Sequence, residues 1–479
     1  MPPININTSS FKLDAPGIAG FFGGEEAVLG MQTIHLYEYR KWLGWYNSPG
    51  GWTVGKFGTL ANSRFWNTVF PGLHEGPTKL FGFDGKQGPK YVASRSGSSL
   101  EHTGHLAYLI TQSCKEPEVQ VEGGLTKRIK VTIIQTQPNP SVKENRPVRT
   151  IPPGRHVHVA ILPMAVSFIT CALCGWTYDW FCCVMILLGI VSNGLFTLVI
   201  GSACLGLKGM KSSQTAPPGD GMLMDGDDII ILLGTAGNVG TITRGQFVLE
   251  YEPWVKKGSR EEKRKCSVPG DGMGSASSNR GNDADEYDEY AAIGLCSLLL
   301  VIQLLSQALL IPQGTLFFGQ IMFLSSIAAS WVYNFYLSSM DKECIQQRLL
   351  LDVLDLHMQP YSPGKRTTAV VFACLMLQPR GNDADEWESF KPAAIIQHLI
   401  PNDTQVWITW RQKVLGVISE RERNQEACYG LLQVNAEDEA RMKKDDIYLL
   451  EQLLVDARTA YDQATAEQRR LGSIGGKED

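Results

Sequence analysis

Four cysteines, a handful of amides and one acidic repeat are the residues whose types and spacing bear most on chemistry. Cys171, Cys174, Cys182 and Cys183 bracket the turn Thr177-Tyr178-Asp179. Cys174 and Cys182 stand symmetrically about it, so a disulfide between them would staple two antiparallel helices. The same spacing permits a four-thiolate metal site, and equally four small apolar helix residues. Gln303 and Gln307 lie four apart and share a helix face, while Gln320 and Asn193 are amides in neighbouring apolar runs. Amides in such runs either hydrogen-bond between helices or line a polar pore. The heptapeptide RGNDADE occurs at 280–286 and again at 380–386, each copy continuing as aromatic, acid, any residue, aromatic. Arg280, Asp283, Asp285 and Tyr287, with their counterparts Arg380, Asp383, Asp385 and Trp387, read as two acidic helix entries or as a docking motif for equivalent pockets.

Other constellations are missing. The chain has no GxSxG, no HExxH, no Walker loop and no kinase set. The run GTAGNVG at 234–240 lacks nucleotide-loop spacing and is expected between two strands rather than before a helix. The pairs His102/His105 and His156/His158 lack the further ligands a metal needs. No cofactor, metal or catalytic residue is therefore expected. A net charge of −5 argues against a nucleic-acid partner.

The elements that must position these residues are four apolar runs, at 157–176, 180–205, 291–311 and 316–337. A helix of about 20 residues crosses the hydrocarbon layer of a bilayer. Backbone polar groups in lipid must pair internally, so each run is read as a helix. The turns between runs one and two and between runs three and four are only a few residues long, giving two transmembrane hairpins, 157–205 and 291–337. No Lys or Arg occurs at 157–207 or at 282–341, whereas Arg146, Arg149, Arg155, Lys208, Lys211, Lys342 and Arg348 flank the hairpins. By the positive-inside rule both termini and the central segment face the cytosol, in the plasma membrane or an endomembrane. Trp176, Tyr178, Trp180 and Phe181 form an aromatic belt at the far side of the first hairpin.

The fold class expected is thus an integral membrane protein with four transmembrane α-helices in two hairpins. The remainder would be an α+β cytosolic domain at 1–137, a Pro-rich linker at 138–156, a small β-containing insert at 206–290, an α/β segment at 338–400 and a helical hairpin at 401–479. Within these, 25–46 reads as a helix, and 105–112 and 127–135 as strands. The insert reads as strands 227–234 and 241–251. The stretches 341–358, 404–433 and 436–471 read as helices, and 367–377 as a buried strand or helix. Ile447, Leu450, Leu454, Ala457, Tyr461 and Ala464 follow a coiled-coil seam, which packs on the preceding helix or on a second subunit. Charge is uneven: residues 1–156 carry 17 Lys and Arg against 11 Asp and Glu, and residues 338–479 carry 17 against 23.

The stretch FKLDAPGIAGFFGGEEAVLGMQTIHLYEYRKW at 11–42 and RGNDADEW at 380–387 are similar to sequences of uncharacterised multi-pass membrane proteins of fungi. The resemblance implies a membrane location and brings no ligand or activity. The function expected is a non-enzymatic, self-associating membrane protein that builds a cytosolic-side scaffold, with the lipid bilayer and further copies of itself as partners. The alternative is an oligomeric channel lined by amides. A third reading is a membrane-bound enzyme without a recognisable motif; the sequence names no small-molecule ligand.

Overall fold

The computed structural model describes residues 14–22, 25–48, 55–72, 75–115, 129–136, 145–210, 219–252, 255, 290–379, 384–419 and 425–475. The chain forms two compact units. The first comprises Met1–Asp84, Pro147–Gly206 and Val248–Gln346, the second Gly85–Arg146, Leu207–Phe247 and Gln347–Asp479. These units cut across the segments expected from sequence. The first 137 residues are shared between both, because Glu25–Met31 and Gly55–Ala61 pack on the long apolar helices while 90–93 and 129–136 join a sheet.

In the first unit the four apolar runs are helices: α1 (Arg155–Trp176), α2 (Trp180–Ile200), α3 (Ala291–Leu310) and α4 (Met322–Ser338). A π-turn over Leu316–Ile321 leads into α4. All four are long and apolar enough to cross a membrane. Helix α1 packs on α2 and α4, and α2 on α3. The short helix Glu25–Met31 packs on α4, and the 3-10 segment Gly55–Ala61 packs on α3. The helix expected over 25–46 ends at Met31. Tyr39 adopts φ 60°, a 3-10 turn follows at Arg40–Trp42, and the chain then enters the bundle. Burial of Arg40, Tyr46, Asn47 and Ser48 decides this, against a local helical pattern.

The second unit is built on a six-stranded sheet. Its strands are β1 (Lys90–Ala93), β2 (Ser99–Leu100), β3 (Ile129–Thr136), β4 (Gly221–Asp225), β5 (Asp228–Leu233) and β6 (Leu356–Gly364). Their spatial order is β2-β1-β4-β5-β3-β6. Only β3 and β5 pair in parallel; the other neighbours are antiparallel. Gly226 at φ 63° makes the tight turn between β4 and β5.

Several local readings are corrected here. Residues 105–112 are not a strand but the start of the helix His105–Cys114, because Leu106, Leu109 and Ile110 recur at helical spacing and are all buried. The glycine-rich run does open a helix, Ala236–Arg244, whose N-terminus is capped by Thr235 Oγ1 accepting from Asn238 N at 3.3 Å. Residues 356–364, expected to finish and then break a helix, are β6 at the sheet edge, where Pro360 and Pro363 are tolerated.

The helix Arg366–Met376 is buried from Thr368 to Met376, which explains an apolar run without a period. It packs on β3, β5, β6 and the C-terminal helix Lys444–Gly475. Within the expected helix 404–433 the described residues form the helices Gln405–Ser419 and Gln425–Leu431. The seam Leu450, Leu454, Ala457, Tyr461 and Ala464 is buried inside this unit, against Arg366–Met376 and Gln405–Ser419. Trp410 Nε1 donates to Leu453 O at 3.1 Å within the same core. The seam is thus occupied within its own chain, by the preceding helix Gln405–Ser419 as expected and also by Arg366–Met376.

Candidate functional site

The site follows from residues 40–48, a 3-10 turn at Arg40–Trp42 and then non-helical chain that runs along α2 into the four-helix bundle. Glycines of α2 make room for them in sequence. A Cβ on Gly201 would crowd Lys41, one on Gly194 would overlap the Trp45 ring, and one on Gly189 would overlap Asn47 Oδ1. Gly44 lies equally close to Thr197 of the same helix. The segment therefore descends along α2 by about three turns and ends midway along the helices.

Asn47 is the hub. Its backbone N–H donates to Ser167 Oγ of α1 at 3.0 Å, and its Nδ2 donates to Ser326 Oγ of α4 at 2.8 Å. Gln307 of α3 donates from Nε2 to Asn47 Oδ1 at 3.2 Å and to Met185 O of α2 at 3.1 Å. Gln303 Nε2 donates to Ser48 O at 2.9 Å, and Asn193 Nδ2 to Gly44 O at 2.7 Å. Asn47 thus bonds directly to three helices and reaches α2 through Gln307, and three of the four predicted amides meet around residues 44–48. Each such bond is worth roughly 0.6 kcal/mol in an apolar bundle. The fourth amide, Gln320, is elsewhere: its Nε2 donates to Gly314 O at 3.1 Å, in the turn between α3 and α4.

At one end of the bundle Arg40 is only 1% exposed. Its guanidinium lies over the Tyr333 ring at 5.1 Å, and Tyr46 Oη donates to Asn334 Oδ1 at 3.1 Å beside it. Among the described residues no carboxylate pairs with Arg40, and its Nε and Nη1 have no acceptor. His156 stacks on Tyr37 with ring centroids 4.3 Å apart. His35, beneath the Phe81 ring at 4.6 Å, is held neutral because burial pulls its pKa down to about 3.

The opposite end is held by Asp179. Its Oδ1 caps α2 by accepting from Cys182 N at 3.1 Å. Its Oδ2 accepts from Thr315 N at 2.6 Å and Thr315 Oγ1 at 2.8 Å, so the turn of the first hairpin is fastened to that of the second. Burial alone would raise this carboxyl's pKa, but the bonds from Thr315 and Cys182 bring it below the ordinary value. Gly314 and Gly319 allow the approach, since a Cβ on either would strike Asp179 or Cys182.

The cysteines divide into two pairs, and not the pair that spacing suggested. Cys174 Sγ donates to Phe318 O at 2.9 Å, and buried Cys182 packs against Gly314. The sulfurs in contact are those of Cys171 and Cys183, 3.8 Å apart. Among the described residues no three His, Cys, Asp or Glu side chains converge as a metal site. His105 is buried in its helix and stacks on Tyr108 with centroids 6.0 Å apart.

In the second unit the acidic repeat meets a partner. Its first copy, with Arg280, Asp283, Asp285 and Tyr287, lies outside the described residues, as do Arg380 and Asp383. The second copy enters the helix Ala384–Ser389, which carries Asp385 and Trp387. Its Glu386 pairs with Arg95 at 3.0 Å, and Arg95 also pairs with Asp220 at 3.2 Å. Asp220 belongs to the pentapeptide PGDGM, which likewise occurs twice, at 218–222 and 269–273. Arg95 thus joins one copy of each repeated motif, a contact that spacing could not reveal.

A small recess at the other end of β4 is lined by Cys114, Lys115, Lys130, Asp225 and Asp228. Its charges close on themselves, with Lys115 on Asp225 at 2.7 Å and Lys130 Nζ on Cys114 O at 2.8 Å. Burial pushes the Cys114 thiol up to about 11, so it is protonated at neutral pH. No family model, no curated protein and no solved structure matches this chain.

Proposed function

We propose that the chain is a non-enzymatic, self-associating integral membrane protein. In this reading both termini lie in the cytosol and the second unit forms a scaffold on the inner leaflet. One observation supports it above the others: three amides of the apolar helices, Asn193, Gln303 and Gln307, are spent on the chain's own residues 44–48. A bundle filled in this way acts as a closed anchor. Its outward apolar side chains, such as Leu162, Ile169, Leu305, Leu309 and Phe335, remain exposed for lipid or for another copy. The basic flanks supply the orientation. Native mass measurement in several mild detergents is expected to give oligomers; monomers throughout would remove self-association and leave a membrane anchor.

A second reading, an oligomeric channel, has its own support. Non-helical backbone deep among apolar helices is tolerated where it is packed in protein or lines a water-filled path. Gln303 Oε1, Ser192 Oγ and Ser297 Oγ are buried there without hydrogen-bond partners among the described residues. Under this reading the double change Gln303→Leu, Gln307→Leu alters conductance in reconstituted bilayers. Wild-type bilayers that stay silent across voltage and pH would count against it.

A further inference from the structure

We propose that Cys171 and Cys183 form a disulfide that staples the first hairpin, while Cys174 and Cys182 remain thiols. The two sulfurs are already in van der Waals contact at 3.8 Å, and Cys171 Sγ lies 3.6 Å from Cys183 O. Side-chain rotation has to close a gap of roughly 2 Å to reach bonding distance. Gly175, one helical turn after Cys171, leaves open space beside Cys183 Sγ, where an added Cβ would sit at 3.5 Å. Both residues of this pair are partly exposed, whereas Cys174 and Cys182 are buried. The buried pair is also committed elsewhere, to Phe318 O and to the glycine-lined turn of the second hairpin.

The pair sits close to the tip. Cys183 lies in the first turn of α2 and Cys171 within two turns of the end of α1. That places them about 5–8 Å below the exposed rings of Trp176, Tyr178 and Trp180. A soluble exchange partner reaches this level more readily than the bundle interior. The chemistry is dithiol–disulfide exchange. One cysteine thiolate attacks the disulfide of a thiol oxidoreductase, giving a mixed disulfide and one partner thiolate. The second cysteine thiolate displaces the remaining partner sulfur. The Cys171–Cys183 bond forms, the partner's bond breaks, and the partner leaves with both electrons and both protons as a dithiol. The inference rests on the topology proposed above, because such a bond persists only on an oxidising side of the membrane.

The test uses full-length protein in membranes whose free thiols are alkylated before lysis. Trypsin leaves both cysteines on one peptide, since no Lys or Arg occurs at 157–207. Chymotrypsin separates them, by cutting after Trp176, Tyr178, Trp180 or Phe181. Peptides bearing Cys171 and Cys183 should stay linked until reductant is added. The link should survive in Cys174→Ser, Cys182→Ser and vanish in Cys171→Ser, Cys183→Ser. A link that vanishes in the first variant, or four alkylated thiols in the wild type, overturns the assignment. The wild-type alkylation pattern decides the matter even where a variant fails to fold. An epitope inserted after Thr177 and probed on sealed vesicles separates the two ways of failing. An epitope on the cytosolic side sinks the topology, and one on the far side beside four free thiols sinks the disulfide alone.

Discussion

Replacing Gly189 by alanine probes the hub of the bundle directly. A Cβ at this position would overlap Asn47 Oδ1, so Asn47 has to move. Its bonds to Ser167, Ser326 and Gln307 then weaken together. Three such bonds at roughly 0.6 kcal/mol each amount to about 2 kcal/mol. Overpacking adds about 1–3 kcal/mol. Alanine returns about 1 kcal/mol through its better helix propensity. The expected net loss for Gly189→Ala is therefore about 2–4 kcal/mol. In an Asn47→Ala background the offending oxygen is gone. The second change should then be neutral, or stabilising by up to about 1 kcal/mol. Gln307 Nε2, 3.1 Å from the same Cβ position, is the end of a flexible side chain and can yield. The coupling in this double-mutant cycle should be about 2–5 kcal/mol, well outside ordinary additivity. The assay is reversible denaturation in mixed micelles, followed by tryptophan fluorescence, for the wild type, both single variants and the double variant. Additive effects, or a harmless Gly189→Ala in the wild type, would show that residues 40–48 do not pack against α2 as described.

Three further outcomes follow from the same contacts. His35 binds no proton in the folded chain until about pH 3, whereas the unfolded chain takes one near 6.5, so stability should fall as pH drops below that value. The slope contributed is about 1.4 kcal/mol per pH unit, and His35→Leu should flatten it in a pH series of unfolding curves. Asp179→Ala removes the α2 cap and both Thr315 bonds, for a loss of roughly 3 kcal/mol. Asp179→Asn, which keeps an acceptor, should cost less; equal Tm drops for the two would contradict the clip between turns. Arg95→Ala leaves Asp220 and Glu386 without their shared partner, at a cost of roughly 2–3 kcal/mol given their partial exposure. Hydrogen exchange should then speed up in Ala384–Ser389; unchanged protection there would mean that the repeat is not anchored by Arg95.

The four long helices were determined by the sequence on its own. Runs such as 291–311 declare a helix by length and apolarity, and hydropathy is a sum over neighbours that needs no knowledge of distant residues. The strand at 129–136 was legible for a similar local reason, since Ile129, Val131 and Ile133 alternate with Arg128, Lys130 and Thr132. What lay beyond reach was every choice made between distant segments. Residues 32–46 look like the continuation of an amphipathic helix, and only the glycines of α2 and the amides of α3 make an irregular path over 43–48 more favourable. Cys171 rather than Cys174 faces Cys183, because the rotation of α1 about its axis is set by packing on α2 and α4, and symmetry about a turn does not encode it. Arg95 finds Asp220 and Glu386 across separations of 125 and 291 residues, which no spacing rule spans. Local free energies are written in neighbouring side chains. The pairing of buried polar groups is written only in the folded chain, where an unmet donor or acceptor costs more than a broken local pattern.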